Sequence, residues 1–203
     1  MKRLKQTLIK LFITFLFCSN SFSDTEQISS KNVLVIDGDT IILNKKKIRF
    51  SGIDAPESFF RGKKQTCKLE SQKIFCGEIS KKKLSQKIDN QNVKCFIEKN
   101  NDRYNRILAE CFVNNESLSV YMVKNGYAFD YAKYSKKKYQ EYENFAKKNK
   151  LGLWKTKFEY PWVWRKKKQI TYKLIGDSIK KINSFNFIFT YICMFICAKK
   201  YSK

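Results

Sequence analysis

The sequence predicts an α+β domain, a small five-stranded β-barrel capped by three helices, preceded by a signal segment and followed by an apolar tail. Three observations predict it. Short β-branched runs bounded by Gly and Asn turn signals fill residues 33–53 and return over 93–113. Stretches with apolar residues at helical spacing stand between and after them. The chain is polar and basic through its middle but apolar near both ends.

The first strands lie in VLVIDGDTIILNKKKIRFSGIDAPE, from Val33 to Glu57. Val33, Val35 and Ile36 feed the turn Asp37-Gly38, and Thr40 to Leu43 forms a second strand. A polar turn at Asn44, Lys45 and Lys46 leads to a third, Ile48 to Ile53. Asp37, Asp39, Arg49, Asp54 and Glu57 lie in or beside strands that must pack something apolar. Charges so placed lose hydration, and they pair with one another or hold an ion. A turn-forming preference accounts for any single Asp, and it suffices for Asp37. In a meander the ends of the first and third strands lie side by side, so Asp39 and Asp54 converge, flanked by Arg49 and Glu57. Two carboxylates at one point repel unless a cation lies between them. An all-oxygen donor set suits calcium or magnesium rather than zinc.

Ser58 to Gly77 shows no period and reads as an inserted loop. Glu78 to Ile88 is helical, with Ile79, Leu84 and Ile88 as its apolar face. Val93 to Glu98 and Ile107 to Val113 supply the fourth and fifth strands. Glu116 to Lys124 is a second helix, with Leu118, Tyr121 and Met122 on one side and Asn125-Gly126 as its stop. A third helix opens at Ser135, buries Tyr139, Tyr142, Phe145 and Ala146, and ends at Gly152. The domain is expected over residues 31–155. Residues 156–203 form an extension in which Pro161, Trp162 and Trp164 precede a basic run from Arg165, placed to dock on the barrel or lie at a membrane surface.

Residues 1–23 read as an export signal. Lys2, Arg3 and Lys5 are the basic region, Leu8 to Cys18 is the apolar region, and Ser21-Phe22-Ser23 offers small residues before Asp24. An uncleaved anchor is the alternative. The protein is therefore expected outside the cytoplasm, periplasmic or secreted, as a monomer. Ile182 to Ala198 is apolar and aromatic, either a tail that associates with a membrane or a terminal helix. The net charge of +24 predicts attraction to polyanions, nucleic acid or anionic lipid. The chain has no histidine, which excludes a histidine-based nuclease mechanism.

Val35-Ile36-Asp37-Gly38-Asp39-Thr40 and Ile48-Arg49-Phe50-Ser51-Gly52-Ile53-Asp54-Ala55-Pro56-Glu57 resemble the signature of the thermonuclease family, the staphylococcal-nuclease-like proteins. Asp102-Arg103-Tyr104-Asn105-Arg106 resembles that family's second arginine motif, and Leu151-Gly152-Leu153-Trp154 the end of its last helix. The resemblance implies an OB-fold barrel and a calcium-dependent nuclease that hydrolyses phosphodiester bonds of DNA and RNA with little sequence preference. It implies Asp39, Asp54 and the Ala55 carbonyl as calcium ligands, where the family usually has threonine at the last. Arg49 and Arg106 are the phosphate-binding arginines of catalysis, since planar guanidinium forks match phosphate oxygens two at a time. A structural pairing of either with Asp102 or Glu57 is the alternative. Glu57 is the expected general base, and the general acid stays open. Tyr104 and Tyr131 resemble tyrosines beside the nucleotide, whereas Phe129 reads as core. Asn105 stands where the family commonly has glycine, and Asn tolerates left-handed backbone. The competing function is a non-catalytic OB module that binds nucleic acid or a membrane surface.

Export brings the cysteines into an oxidising compartment, where Cys67, Cys76, Cys95 and Cys111 allow three pairings. Cys67–Cys76 would staple the inserted loop and Cys95–Cys111 would tie adjacent strands, and this is the expected pairing. A four-thiolate metal site is the alternative, without C-x-x-C spacing to support it. Thiol titration of the denatured, unreduced domain should find these four cysteines unreactive; close to four free thiols in the domain would overturn the pairing.

Overall fold

The computed structural model describes residues 26–102 and 104–175. The expected signal at 1–23 and apolar tail at 182–198 lie outside the described residues. The sheet begins with β1 (Gln27–Ser30), β2 (Val33–Asp37), β3 (Thr40–Leu43) and β4 (Lys46–Phe50). β2, β3 and β4 form an antiparallel meander. Its second turn is tight because Asn44 and Lys45 both take positive φ, which suits the twist of the flanking strands.

The expected third strand does not run unbroken to Ile53. Gly52, at φ +75°, turns the chain sharply, and Ile53–Asp54 becomes a separate strand, β5. Residues 58–77 are not wholly irregular either, because β6 (Cys67–Leu69) and β7 (Gln72–Ile74) form a hairpin within them. Helix α1 (Cys76–Ile88) follows, then β8 (Val93–Ile97) and β9 (Ile107–Val113). β10 (Glu116–Ser117) pairs with β9 and leads into α2 (Leu118–Lys124), whose first turn is capped by the Ser117 hydroxyl accepting from the Val120 N–H. The strand order is β1-β8-β9-β4-β3-β2, antiparallel except for β4 beside β9, so the architecture is α+β around a mixed sheet.

Two cores result. The larger joins Ile41, Leu43, Ile48 and Phe50 of the meander to Leu84 and Ile88 of α1 and to Leu118, Met122 and Val123. The smaller joins Phe129 and Leu153 to Trp154, Phe158, Tyr160 and Trp162. Phe129 is fully buried, as a core residue should be. Cys67–Cys76 and Cys95–Cys111 are both disulfides, the second directly across the β8–β9 ladder. Among the described residues no helix is long and apolar enough to cross a membrane.

The last part of the domain departs most from expectation. β11 (Phe129–Asp130) pairs with β5, and a single turn, α3 (Ala132–Ser135), follows. Lys136 and Lys137 then take positive φ and break the helix expected from Ser135, so α4 starts only at Gln140 and ends at Lys148. Its buried face is Glu143 and Ala146, beside Tyr139, while Tyr142 and Phe145 stay 38% and 47% exposed. A carboxyl thus sits where an apolar stripe was expected. A 3₁₀ turn (Gly152–Lys155) follows, and residues 161–175 form a further helix, α5.

Glu143 lies against Asp130, whose two carboxylate oxygens are buried without a hydrogen-bond donor among the described residues. Burial first, and then Asp130, push Glu143 up to about 7 from an ordinary 4.5, against the Asp130 N–H and Lys147, which favour its charged form. A proton retained by Glu143 relieves the repulsion between the two groups. In the folded state Glu143 therefore holds a proton that the unfolded chain has released between about pH 4.5 and 7, and stability falls as pH rises through that window. Glu143→Gln has no such proton to lose. Its melting temperature relative to wild type should climb from pH 4.5 to above 7, and a difference independent of pH would refute this.

Candidate active site

The site is built where the β2–β3 turn, the β4 strand, the β5 strand and the start of α1 meet. β2 carries an irregularity between Val35 and Asp37, which sets Asp37 opposite Thr40 and leaves Gly38 and Asp39 in the turn. Gly38 has no room for a side chain: a Cβ there would stand 2.7 Å from Ser80 Cβ and 2.9 Å from Ala55 Cβ. Thr40 pairs with Arg49 across the β3–β4 ladder, which brings the guanidinium to Asp39. Asp54 is held by the β5–β11 ladder, directly opposite Phe129.

Arg49 joins the two aspartates. Its Nη1 donates to Asp39 Oδ1 at 2.6 Å, and its Nη2 donates to Asp54 Oδ1 at 2.7 Å and to the Ile53 carbonyl at 3.2 Å. Asp39 Oδ1 also accepts from the Thr40 hydroxyl, and Oδ2 from the Ala55 N–H at 2.7 Å. Both aspartates are almost fully buried. Burial opposes the charge on Asp39, yet Arg49, the Ala55 N–H and Thr40 outweigh it and hold the carboxyl below its usual range. Arg49 is likewise desolvated, and the two aspartates more than restore its preference for the proton.

Glu57 is fixed through its backbone. The buried Gln65 side chain accepts from the Glu57 N–H at 3.1 Å, and the Gln65 N–H donates to the Glu57 carbonyl at 3.0 Å. Asp37 accepts from both the N–H and hydroxyl of Ser58, an anchoring role consistent with a turn aspartate. Gly77, in the first turn of α1, presses on the same segment, and a Cβ there would overlap the Glu57 carbonyl. Burial and then Asp39 push the Glu57 carboxyl up to about 7, despite Arg165. Burial raises Asp37 too, partly offset by Ser58.

Arg165 is the residue that the sequence reading missed. Reaching in from α5, its Nη1 donates to Glu57 Oε1 at 2.6 Å and to Asp54 Oδ1 at 3.1 Å, while Nη2 donates to Asp54 Oδ2 at 2.6 Å. One signal pointed to it. Six of the chain's 42 basic residues are arginines, so an arginine heading a lysine run marks a place where a planar fork is needed. Gln65 gave no signal at all.

Arg106 is placed differently. Its Nε donates to Asp102 Oδ2 at 2.8 Å, its Nη2 lies 2.6 Å from the same oxygen, and its N–H donates to Asp102 Oδ1. This is the structural pairing weighed above, and Arg106 makes no hydrogen bond to Asp39, Asp54 or Glu57. Asn105 takes φ 58°, so asparagine supplies the left-handed step. Ile107 pairs with Ile48 in the parallel β4–β9 ladder, so Arg106 enters β9 two register positions from Leu108, the partner of Arg49. Tyr104 is 58% exposed and lies beside the Arg106 guanidinium, 5.5 Å from ring centre to Cζ. Tyr131 is stacked on Trp162, centroids 4.9 Å apart and planes at 2°, so one face of its ring is already covered.

A family model described as Staphylococcal nuclease homologue matches residues 47–156, over half the chain. An uncharacterized endonuclease of Haemophilus influenzae is 31% identical over 176 residues, covering 83% of this chain and 88% of that one. A protein of Arabidopsis thaliana named Staphylococcal-like nuclease CAN1 is 28% identical over 143 residues, 70% of this chain. This chain spans only 40% of that protein's length. Endonuclease YhcR of Bacillus subtilis is 32% identical over 167 residues, 72% of this chain and 13% of its own. The chain belongs to the staphylococcal nuclease homologue family, whose fold is α+β of the OB type.

Nucleases of this family are generally metal-dependent. The residues fit a hard divalent ion by charge and donor chemistry. Three carboxyls, from Asp39, Asp54 and Glu57, share two guanidinium groups, and a fourth, Asp37, lies close by on Ser58. Among the described residues no group of three or more His, Cys, Asp or Glu forms a ready cage. Asp39 and Asp54 therefore need a main-chain carbonyl, such as that of Ala55, and water to complete a shell.

Arg49→Ala would leave two buried carboxylates without their shared partner. It should lower unfolding free energy in urea by about 3–5 kcal/mol. A loss below about 1 kcal/mol, the size expected for exposed pairs, would show that Arg49 is not the keystone of the cluster.

Proposed function

We propose that the protein is an exported, calcium-dependent nuclease that hydrolyses phosphodiester bonds of DNA and RNA with little sequence preference. The observation that carries this is the convergence of Asp39, Asp54 and Glu57 with arginine forks at one buried cluster, in a chain of the staphylococcal nuclease homologue family. Relatives named nuclease and endonuclease support a phosphodiester hydrolase. The competing non-catalytic module leaves Glu57, held among charges by Gln65 and Arg165, without a purpose.

In this reading Glu57 takes a proton from the attacking water. Its Oε1 accepts from Arg165, and Oε2 accepts from no group among the described residues, so a lone pair is available for that water. Arg49 makes three hydrogen bonds and keeps two of its guanidinium's five N–H donors for a phosphate oxygen. Arg106 keeps three beyond its two contacts with Asp102, and binds the substrate phosphate from the neighbouring strand. Calcium, held by Asp39, Asp54 and the Ala55 carbonyl, would supply Lewis-acid relief of phosphate charge.

Tyr104, beside Arg106, and Tyr131 are the rings this reading assigns to the bases, and stacking of this kind is sequence-tolerant. Closure of the sheet into a barrel is part of this reading, and the short link of Lys31 and Asn32 between its edge strands β1 and β2 supports it. The molecule acts as a monomer outside the cytoplasm, periplasmic or secreted, with residues 182–198 able to bring it to a membrane. Support for the last points is the sequence pattern at the two ends.

Purified protein should degrade single-stranded DNA with calcium and stop when a chelator is added. Glu57→Gln should still bind the strand, while kcat falls by about 10²–10⁴-fold. Cleavage indifferent to the chelator would remove the metal, and Glu57→Gln turning over at the wild-type rate would remove the base.

A further inference from the structure

Arg165 lies beyond residues 47–156, which the family model matches, yet it makes three hydrogen bonds to two of the site's carboxyls. The plainest account makes it a tether that docks α5 on the domain. The surrounding contacts argue against that. Three residues before it, Trp162 is stacked between Tyr131 and Tyr160, with centroids at 4.9 and 4.6 Å. One residue before it, Trp164 is 7% exposed and packs edge-on against Phe60. The Glu159 carbonyl accepts from Gln65 Nε2 at 2.9 Å, and further along α5 the Tyr172 hydroxyl donates to the Arg61 carbonyl. α5 is thus anchored on both sides of Arg165 by groups that carry no charge into the interior. Docking alone does not call for a buried arginine, since an ion pair loses in hydration much of what it gains in attraction.

A different role follows from what the fork joins. One guanidinium spans Asp54 with both nitrogens and reaches Glu57 with one of them, so it fixes the two carboxyls relative to each other. Gln65 holds the Glu57 backbone, but no other described side chain grips its carboxyl. Gln65 also ties that backbone to Glu159, six residues before the arginine, so the segment after Trp154 braces Glu57 at both its main chain and its side chain.

We propose that Arg165 is a positioning residue of the site, which orients the Glu57 carboxylate and aligns it with Asp54 for phosphodiester hydrolysis. This rests on the nuclease reading above and extends the working site into α5. A lysine could satisfy one of these contacts but not the planar bridge across both carboxyls.

The test is a double-mutant cycle between Arg165 and Glu57, read as kcat and KM on single-stranded DNA, with urea unfolding run alongside. Arg165→Ala should lower kcat by about 10²-fold, the scale of a displaced catalytic group, with KM changed less than about threefold. Arg165→Lys should recover part of the loss. Arg165→Met keeps the bulk of the side chain and should behave as the alanine variant does, which separates the fork from a packing defect. In the Glu57→Gln background the same change should cost less than about threefold, because a residue acting through Glu57 has nothing left to orient. Equal losses in both backgrounds, or unchanged kcat with a lowered unfolding midpoint, would reduce Arg165 to a docking contact. A rise in kcat on removing it would make it an obstruction instead. Wild-type protein without turnover would overturn the nuclease reading and this inference together, whereas active wild type matched by its Arg165 variants would overturn this inference alone.

Discussion

Two aspartates sharing one guanidinium, all three largely out of water, are the constraint around which this molecule is built. Burying a carboxylate is costly unless it is hydrogen-bonded, and each oxygen of Asp39 and Asp54 accepts at least one hydrogen bond. Every nearby piece of backbone serves that arrangement. The β3–β4 ladder delivers Arg49 opposite Thr40, Gly38 lets the turn lie against Ser80 and Ala55, and the β5–β11 ladder sets Asp54 over a buried Phe129. The aromatic core therefore does more than exclude water. It is the floor on which a charge is held at a fixed height.

Glu57 shows a second use of the same economy of parts. Its segment is short and irregular, so no ladder can hold it. Gln65 supplies the missing backbone partners, Asp37 takes the next N–H, and α1 closes on it through the bare face of Gly77. The Cys67–Cys76 bridge lies at the root of α1, one residue before that glycine. Cross-linking and helix packing thus bear on one strap of chain. The excess of basic residues has a separate task, since attraction of a polyanion acts over the whole surface and needs no such accuracy.

Much of this was legible in the chain because it is local. The β-branched runs, the turn at Asn44 and the pairing of Cys95 with Cys111 all follow from residues near in sequence or directly across a ladder. The meeting of Asp39, Arg49, Asp54 and Glu57 was foreseeable because a meander brings strand ends together. Gly52 misled by a single residue, since its positive φ ended a strand that the apolar pattern would have continued. The last helix misled because Lys136 and Lys137 take backbone angles that lysine rarely adopts, which rotates Glu143 inward and leaves Phe145 outside. Arg165 and Gln65 were hidden for a different reason. Their partners lie across the fold, at separations that no periodicity reports. Arg106 was named from its motif, and in the structure its bonds go to Asp102, four residues away.

The reach of α5 back to Asp54 has a consequence for where this protein can be cut. The family model's match ends at residue 156, and a fragment excised at that border would keep every strand of the described sheets and both cross-links. It would nevertheless expose Phe129 and Leu153 by stripping away Phe158, Tyr160 and Trp162, and leave the buried carboxyl cluster with one cation fewer. The smallest unit with its core intact is therefore longer than the stretch that the family model matches.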